Sequence, residues 1–284
     1  MEIPPWSAKQ LRKLGESIRD GVTAKPGLPS YDEVMLYYND VAAEAQEMIA
    51  ALDWTPLLDR RPFEVTSRPK TIDTLRQKLI RDRSTPLSNV QDIAGVRFEA
   101  EMSLDEQDAV ANAIAGLFDH SPGSCTHDLR TQPHSGYRGV HLWLRVPARI
   151  EVQIRTHMQS SWANMYESAA DVLGRDIRYG AFPAEPSLRK FVTDLQNMSV
   201  EGIRQLESAR NGLLPLESSL MTARGELARH DPGTPDYDFY AQRAAKQTRQ
   251  LDELRAIVLE SENSIRAQMD SLKATFDTIR EKGR

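Results

Sequence analysis

The chain has 284 residues, of which 40% are hydrophobic and 27% are charged, so it is expected to form one or two globular domains with a buried core. Its formal net charge of −5 argues against a general nucleic-acid coating role, although a local basic site for phosphates is compatible with it. One cysteine, Cys125, excludes a disulfide framework and a thiolate metal cluster. The N-terminus lacks a secretory pattern and no apolar run reaches about 18 residues, so we expect a cytoplasmic protein without a membrane span.

The first segment, residues 1–58, is predicted to consist of helices. Apolar residues from Leu11 to Ile18 keep helical spacing. Ser30 and Glu33 then form the capping-box pattern, in which the serine side chain and the glutamate side chain each bond the other residue's backbone amide. This pattern predicts the start of a second, longer helix.

The middle segment, residues 59–182, alternates helical and strand patterns. In chain order the predicted elements are a basic helix at 71–82, a strand at 95–98, a helix after a capping box at 103–106, a loop at 120–136, strands at 140–146 and 150–156, and a helix at 158–173. This order predicts an α+β fold, with a mostly antiparallel mixed sheet that carries helices on one side.

The last segment, residues 183–284, is highly charged and again helical. Two apolar stripes are separated by a turn at 231–235, and Pro215 is predicted to end or kink the first helix. The second stripe is close to a heptad repeat, which is typical of a coiled coil. We therefore expect an antiparallel helical hairpin that either packs on the core or builds a homo-oligomer.

The strand at 150–156 carries the first candidate for chemistry. Successive strand side chains face opposite ways, so Glu151, Gln153 and Arg155 share one face while Val152 and Ile154 can enter the core. A carboxylate, an amide and a guanidinium then stand in a row. Taken alone, this strand is more often an exposed polar surface than a catalytic one.

A second candidate is Asp92, which precedes a small-residue turn into the strand at 95–98. Such a carboxylate suits Mg²⁺, which takes one or two carboxylates together with substrate phosphates. Four cationic residues belong to the basic helix at 71–82 or precede it. Lys78 and Arg81 share one face of the helix, and Arg68 and Lys70 come just before its start. They can hold a polyphosphate, although most such basic runs are solvated surfaces.

The third candidate is a loop ring, Tyr137, which follows Gly136. An aromatic side chain exposed on a loop can stack on a nucleobase, although it can equally pack against its own loop. In isolation each of these features has a common structural explanation, and only their combination favours a nucleotide site.

The combination resembles the synthetase domain of the RelA/SpoT family, the guanosine tetraphosphate (alarmone) synthetases, and in particular its small stand-alone members. The resemblance covers roughly residues 60–180, where four separated motifs occur in the family's order. These are Arg68, Lys70 and Lys78; Asp92, Gly95 and Arg97; Gly136, Tyr137, Arg138 and His141; and Glu151, Gln153, Arg155 and Thr156. The fold that the resemblance implies is nucleotidyltransferase-like.

By this resemblance the chain would transfer pyrophosphate from ATP to the 3′-hydroxyl of GDP or GTP. Lys70, Lys78 and Arg81 would hold the ATP phosphates. Arg68 and Arg97 would lie on the two faces of the adenine. Such a site suits phosphoryl transfer, which depends mainly on positioning and charge neutralisation.

The resemblance also assigns the metal and the acceptor. Asp92 and Glu151 would hold Mg²⁺, and Glu151 would also orient or deprotonate the acceptor hydroxyl. On the acceptor side the implied residues, with Tyr137 stacked on guanine, are Tyr137, Arg138, His141, Gln153 and Arg155.

The acceptor loop departs from the family pattern. Pro133-His134 stands where the family usually has Pro-Lys, and the loop is about one residue shorter. Arg130 or Arg138 is a candidate to replace the lysine. A relative that modifies the 3′ end of tRNA is therefore the main alternative. A catalytically inactive interaction protein built on the helical arms is a further one, which the presence of both Asp92 and Glu151 disfavours.

Overall fold

The computed structural model describes residues 1–282, apart from the side chains of Arg68 and Pro69. Packing divides the chain into two units. The first unit comprises Met1–Met102, Glu106–Gln132 and Gly139–His157. The second comprises Ser103–Asp105, Pro133–Arg138 and the described chain from Met158 onward. The predicted segment 1–58 thus shares a unit with the sheet, because its helices bury their apolar stripes in the same core.

Helices account for most of the chain. The α-helices are α1 (Ala8–Asp20), α2 (Tyr31–Ala50), α3 (Thr55–Leu58), α4 (Ile72–Arg81), α5 (Leu104–Leu117), α6 (Pro122–Cys125), α7 (His157–Leu173), α8 (Pro186–Asn197), α9 (Arg204–Asn211), α10 (Leu213–Leu227) and α11 (Pro235–Lys282). The strands are β1 (Phe63–Pro69), β2 (Ala94–Ala100), β3 (Thr126–Asp128), β4 (Val140–Arg145) and β5 (Arg149–Thr156). Short 3₁₀ turns occupy Leu87–Asn89 and Arg175–Tyr179, and a π-helical stretch, Met198–Ile203, joins α8 to α9.

The five strands form one mixed sheet in the order β1-β2-β5-β4-β3. Within residues 1–282, β2 and β5 run parallel and the other neighbouring strand pairs are antiparallel. This confirms the predicted α+β class with a mostly antiparallel mixed sheet. The region at 120–136, predicted as a loop, instead contains α6 and β3. Three residues are too short to show a strand pattern, and β3 forms because β4 supplies its hydrogen-bond partners.

One face of the sheet builds the core of the first unit. Val96 and Phe98 on β2, and Val152 and Ile154 on β5, are fully buried among apolar residues. Strand alternation therefore places the intervening side chains on the opposite face. The prediction that Val152 and Ile154 enter the core is confirmed.

The helix-start signals of the sequence are confirmed for α2. The Ser30 hydroxyl accepts a hydrogen bond from the Glu33 amide, and the Glu33 carboxylate accepts one from the Ser30 amide. The helix α1 ends at Gly21, whose left-handed backbone (φ 67°) closes the last turn. Both helices contribute buried side chains to the first core.

The second unit is helical and includes the predicted hairpin. The helices α10 and α11 lie side by side, and Arg255 bonds Glu217 at 2.6 Å across them. The helix α9 ends at Asn211, four residues before Pro215, and in a continuous helix the proline ring would clash with the carbonyl of that residue. Pro215 itself lies in the first turn of α10, where no backbone donor is needed, so the helix break agrees with the predicted effect of Pro215. Within residues 1–282 no helix is both long and apolar enough to cross a membrane.

Candidate active site

The sheet face opposite the core carries predicted polar residues from three neighbouring strands, β2, β5 and β4. Side chains of directly paired residues in neighbouring strands lie on the same face. His141 on β4 pairs with Gln153 on β5, and Trp143 pairs with Glu151. On the other side of β5, the parallel strand β2 places Arg97 opposite Gln153. This face, here called the polar sheet face, belongs to the first unit.

Glu151 is held at the centre of this face by three neighbours. Its Oε1 accepts a hydrogen bond from Trp143 Nε1 at 3.3 Å and lies 3.2 Å from His141 Nδ1. Its Oε2 accepts one from Gln153 Nε2 at 2.8 Å. Burial alone would raise the pKa of Glu151, but the bond and charge of His141, the Gln153 bond and the charge of Lys78 outweigh it and lower the pKa to about 2. The carboxylate is therefore ionised at neutral pH.

Asp92 forms the second carboxylate centre, just before β2. Lys70 Nζ lies 2.6 Å from its Oδ2, and Lys78 Nζ lies 2.7 Å from its Oδ1. Burial raises the pKa of Asp92, but the two ammonium groups more than offset it and hold the pKa below its usual value. Lys78 lies in α4 and Lys70 directly follows β1, so these two elements place both predicted lysines beside the predicted aspartate.

The two carboxylate centres affect each other electrostatically. The charge of Glu151 acts to raise the pKa of Asp92, while Lys78 acts to lower the pKa of both carboxylates. Lys70, Lys78, Asp92 and Glu151 therefore form one charged cluster within the first unit. It combines cations suited to phosphates with carboxylate oxygens suited to a hard metal ion.

The carboxylates could hold Mg²⁺ only together with ligands from elsewhere. Within residues 1–282 no group of three or more His, Cys, Asp or Glu side chains is arranged to hold a metal ion. Mg²⁺ is commonly bound by one or two protein carboxylates while substrate phosphates and water supply the remaining ligands. The oxygen chemistry of Asp92 and Glu151 therefore fits this ion.

Three further predicted residues of the first unit are Arg155, Arg81 and Arg68. Arg155 is buried, with 4% of it exposed. Its Nη2 donates a hydrogen bond to Gln153 Oε1 at 2.5 Å and so helps to fix the position of the Gln153 side chain. Arg81 is exposed at the last position of α4. The backbone of Arg68 pairs with Gly95 next to the cluster, but the Arg68 side chain lies outside the described residues.

The acceptor-loop residues fall in the second unit. Arg138 is 2% exposed, and its Nη1 lies 2.6 Å from Oε2 of the buried Glu207. Tyr137 is half-buried and packs on the second core, which includes Trp162. Gly136 has φ 83°, and a Cβ there would come within 2.8 Å of the Trp162 ring. The structure thus gives Arg138 a buried partner, while the nucleotide roles predicted for Tyr137 and Arg138 stay predictions.

The candidate replacements for the missing lysine are both engaged. Arg130 bonds Asp128 at 2.8 Å and Asp108 at 2.5 Å. Arg138 in turn pairs with Glu207. Either guanidinium would therefore have to break an ion pair with a carboxylate before it could bind acceptor phosphates. Rearrangement would be needed before either could act as a substitute.

Two residues of the polar sheet face were missed by the sequence analysis. Trp143 donates to Glu151, and the His127 ring lies against Trp143 with a centroid distance of 3.6 Å. Trp143 had a visible signal, because it alternates with the buried Leu142 and Leu144 and so had to face the side of His141. His127 had none, since β3 was not predicted.

Comparison with known proteins places residues 67–171 in a family model described as a region found in RelA/SpoT proteins. Uncharacterized proteins of Mycobacterium tuberculosis and Mycobacterium bovis are 46% identical over 207 residues, covering 72% of this chain and 73% of each relative. Among solved structures, small alarmone synthetase 1 of Bacillus subtilis bound to pppGpp matches at 24% identity, covering 64% of this chain and 96% of that one (TM-score 0.48). Small alarmone synthetase 2 of the same organism matches at 21% identity, covering 65% and 98% (TM-score 0.49).

Proposed function

This chain belongs to the RelA/SpoT family, and on that premise we propose that it transfers pyrophosphate from ATP to the 3′-hydroxyl of GDP or GTP. The products would be guanosine tetra- or pentaphosphate and AMP. One observation carries the proposal: the region that matches the family builds the charged cluster of Lys70, Lys78, Asp92 and Glu151. Such a cluster combines cations for a triphosphate with a carboxylate for a hydroxyl.

The donor side follows from the two lysines. Their ammonium groups neutralise Asp92, at 2.6 and 2.7 Å. When ATP arrives with its metal ion, its phosphates would compete for the same ammonium groups, so Lys70 and Lys78 would move from the carboxylate to the phosphates. Arg81 would add charge at the end of α4, and Arg68 and Arg97 would hold the adenine, as in the family pattern.

The metal proposed for this step is Mg²⁺, held by Asp92 and Glu151 together with the triphosphate. When bound, it neutralises charge that builds up on the transferring phosphates.

Glu151 would act on the acceptor hydroxyl. The 3′-oxygen forms a bond to the β-phosphorus of ATP, the bond from that phosphorus to the α-phosphate oxygen breaks, and AMP leaves. Since the pKa of Glu151 is about 2, the carboxylate is too weak a base to ionise a sugar hydroxyl beforehand. It would instead orient the hydroxyl through a hydrogen bond and receive its proton late, as the new bond forms.

The acceptor would lie against the same face. His141 and Gln153 flank Glu151 and would line this site, with Arg155 holding Gln153 in place. Tyr137 and Arg138 are the loop residues that the family pattern adds. Since His134 stands where the pattern has a lysine, a tRNA 3′ end is the second candidate acceptor. A cytoplasmic location and assembly into a homo-oligomer through the helical extension are parts of this proposal that rest on sequence alone.

The test is product analysis with ATP, Mg²⁺ and either GDP or GTP. We expect AMP and a 3′-pyrophosphorylated guanosine nucleotide in equal amounts, and a loss of at least 100-fold in Glu151→Gln. The matched control is Glu226→Gln, which removes a carboxylate paired with Arg229 on the surface and should leave the rate unchanged. No product from the parent protein, or equal rates in the parent and Glu151→Gln, would refute the proposal.

A further inference from the structure

Trp143 presents a large aromatic ring on the polar sheet face, and part of that ring is exposed. Its neighbours on β4, Leu142 and Leu144, are fully buried, yet 42% of Trp143 is exposed on the polar sheet face. A large aromatic ring left open beside a buried carboxylate is a common feature of binding surfaces for flat ligands. The activity proposed above gives this ring no role.

Two contacts fix the Trp143 ring in place. Its indole Nε1 donates to Glu151 Oε1 at 3.3 Å, so its edge is tied to the carboxylate. The His127 ring lies against it at 3.6 Å between centroids, with the planes tilted by 34°. A ring held in this way needs little further ordering to accept a ligand, so the entropic cost of stacking on it is small.

The sheet order places Trp143 on the acceptor side of Glu151. The proposed adenine residues Arg68 and Arg97 are on β1 and β2, whereas Trp143 is on β4, and β5 with Glu151 runs between them. Neighbouring strands lie about 4.8 Å apart, so a group stacked on Trp143 lies about two strands from the adenine residues on β2. A donor on one side and an acceptor on the other would then meet at Glu151.

We infer that Trp143 is a further binding residue for the acceptor, in addition to the predicted Tyr137, and that its exposed indole stacks on one face of a purine nucleoside whose hydroxyl then lies at Glu151. This inference rests on the proposed function for the position of the reacting groups. Stacking on an aromatic ring tolerates different bases, so the ligand class is the purine nucleoside rather than guanine alone. A free nucleotide and the terminal adenosine of a tRNA both present this chemistry.

Two substitutions separate the two contributions of Trp143. Trp143→Leu removes the ring and the donor, whereas Trp143→Phe keeps a flat ring and removes only the N–H group. We expect acceptor affinity to fall about tenfold in Trp143→Leu and to stay within about threefold in Trp143→Phe. In Trp143→Phe we expect a lower kcat with little change in acceptor affinity. Stacking persists in this variant, but Glu151 Oε1 loses one of its hydrogen-bond donors.

Binding itself is measured by tryptophan fluorescence, without turnover. The full-length protein is titrated separately with GDP, with AMP and with a CCA trinucleotide that represents a tRNA end. We expect at least one of these probes to quench the emission, and the quench to disappear in Trp143→Leu while calorimetry shows the weakened binding. The control is Phe182→Leu, which removes a similarly exposed ring, 43%, outside the sheet and should change neither signal.

The outcomes separate this inference from the proposed function. Quenching at Trp143 without pyrophosphate transfer supports the binding role and defeats the activity. Transfer that proceeds with unchanged kcat and KM in Trp143→Leu supports the activity and overturns the binding role. The absence of quenching by all three probes also overturns it. If only the trinucleotide quenches, the purine comes from RNA.

Discussion

Lys78 Nζ lies 2.7 Å from Asp92 Oδ1, while Lys70 Nζ lies 2.6 Å from the other oxygen of the same carboxylate. One aspartate thus holds both predicted phosphate-binding lysines. The two ion pairs keep both ammonium groups at the charged cluster, where we propose that a triphosphate would bind them.

Replacing Lys78 should impair phosphate binding rather than folding. We expect Lys78→Ala to reduce transfer about 100-fold, because a preorganised cation near the transferring phosphates is lost. Steady-state kinetics with ATP as the varied substrate measures this. Lys190→Ala is the control, since Lys190 pairs with Asp194 at 2.6 Å but is largely exposed. Equal effects of the two substitutions would contradict the role of Lys78.

The pH dependence of stability should reveal the buried charge of Glu151. A folded-state pKa lowered from 4.5 to about 2 stabilises the protein above the unfolded value and loses this effect as the pH falls from about 4.5 toward 2. The maximal contribution is about 3 kcal/mol. Urea unfolding of the parent protein and Glu151→Gln should therefore differ most near pH 7, with the gap narrowing by pH 3. A gap that does not change with pH would contradict the lowered pKa.

Gly136 should resist substitution for two reasons that can be separated. Its φ of 83° disfavours any side chain, and a Cβ would come within 2.8 Å of Trp162 and 3.0 Å of the Gln196 backbone. Gly27 has a similar φ of 85° with nothing within 4 Å. We expect Gly27→Ala to cost about 1 kcal/mol in unfolding free energy and Gly136→Ala about 3 kcal/mol. Equal costs would show that the close approach to Trp162 is unimportant.

Arg138 is expected to act on stability first. Its guanidinium and the Glu207 carboxylate form a buried pair at 2.6 Å, so Arg138→Ala leaves an unpaired buried charge and should cost about 3–5 kcal/mol. Urea unfolding measures this. The double variant Arg138→Met with Glu207→Leu should recover most of the loss, since it removes both charges. Unchanged stability with a raised KM for the acceptor would instead favour the acceptor-binding role predicted from sequence.

The sequence predicted which strand face the site residues share better than it predicted the hydrogen bonds and ring contacts between them. Strand alternation was enough to place Glu151 and Gln153 on one face and Val152 in the core, because that pattern is local. The hydrogen bond from Trp143 to Glu151 depends on the register of β4 against β5, and the contact from His127 depends on an edge strand three residues long. Such features are set by pairing between distant segments, which composition and spacing do not reveal.

The sequence also did not predict that the Arg138 side chain is buried. Arg138 belongs to a motif of polar residues and was assigned to the acceptor on that basis. Its 2% exposure arises because Glu207, about 70 residues further along the chain, supplies a buried carboxylate. A charged residue in a motif can therefore be structural, and the distinction depends on a partner that no local pattern identifies.

The most direct test of the central claim offers GDP, GTP and tRNA together with ATP labelled in its terminal phosphate and with Mg²⁺. The products are separated and compared with those of Glu151→Gln. The account predicts label on the 3′ position of the guanosine nucleotides, AMP in equal amount, and at least 100-fold less of both products with the variant. Label on tRNA alone, or no transfer to any acceptor, would contradict it.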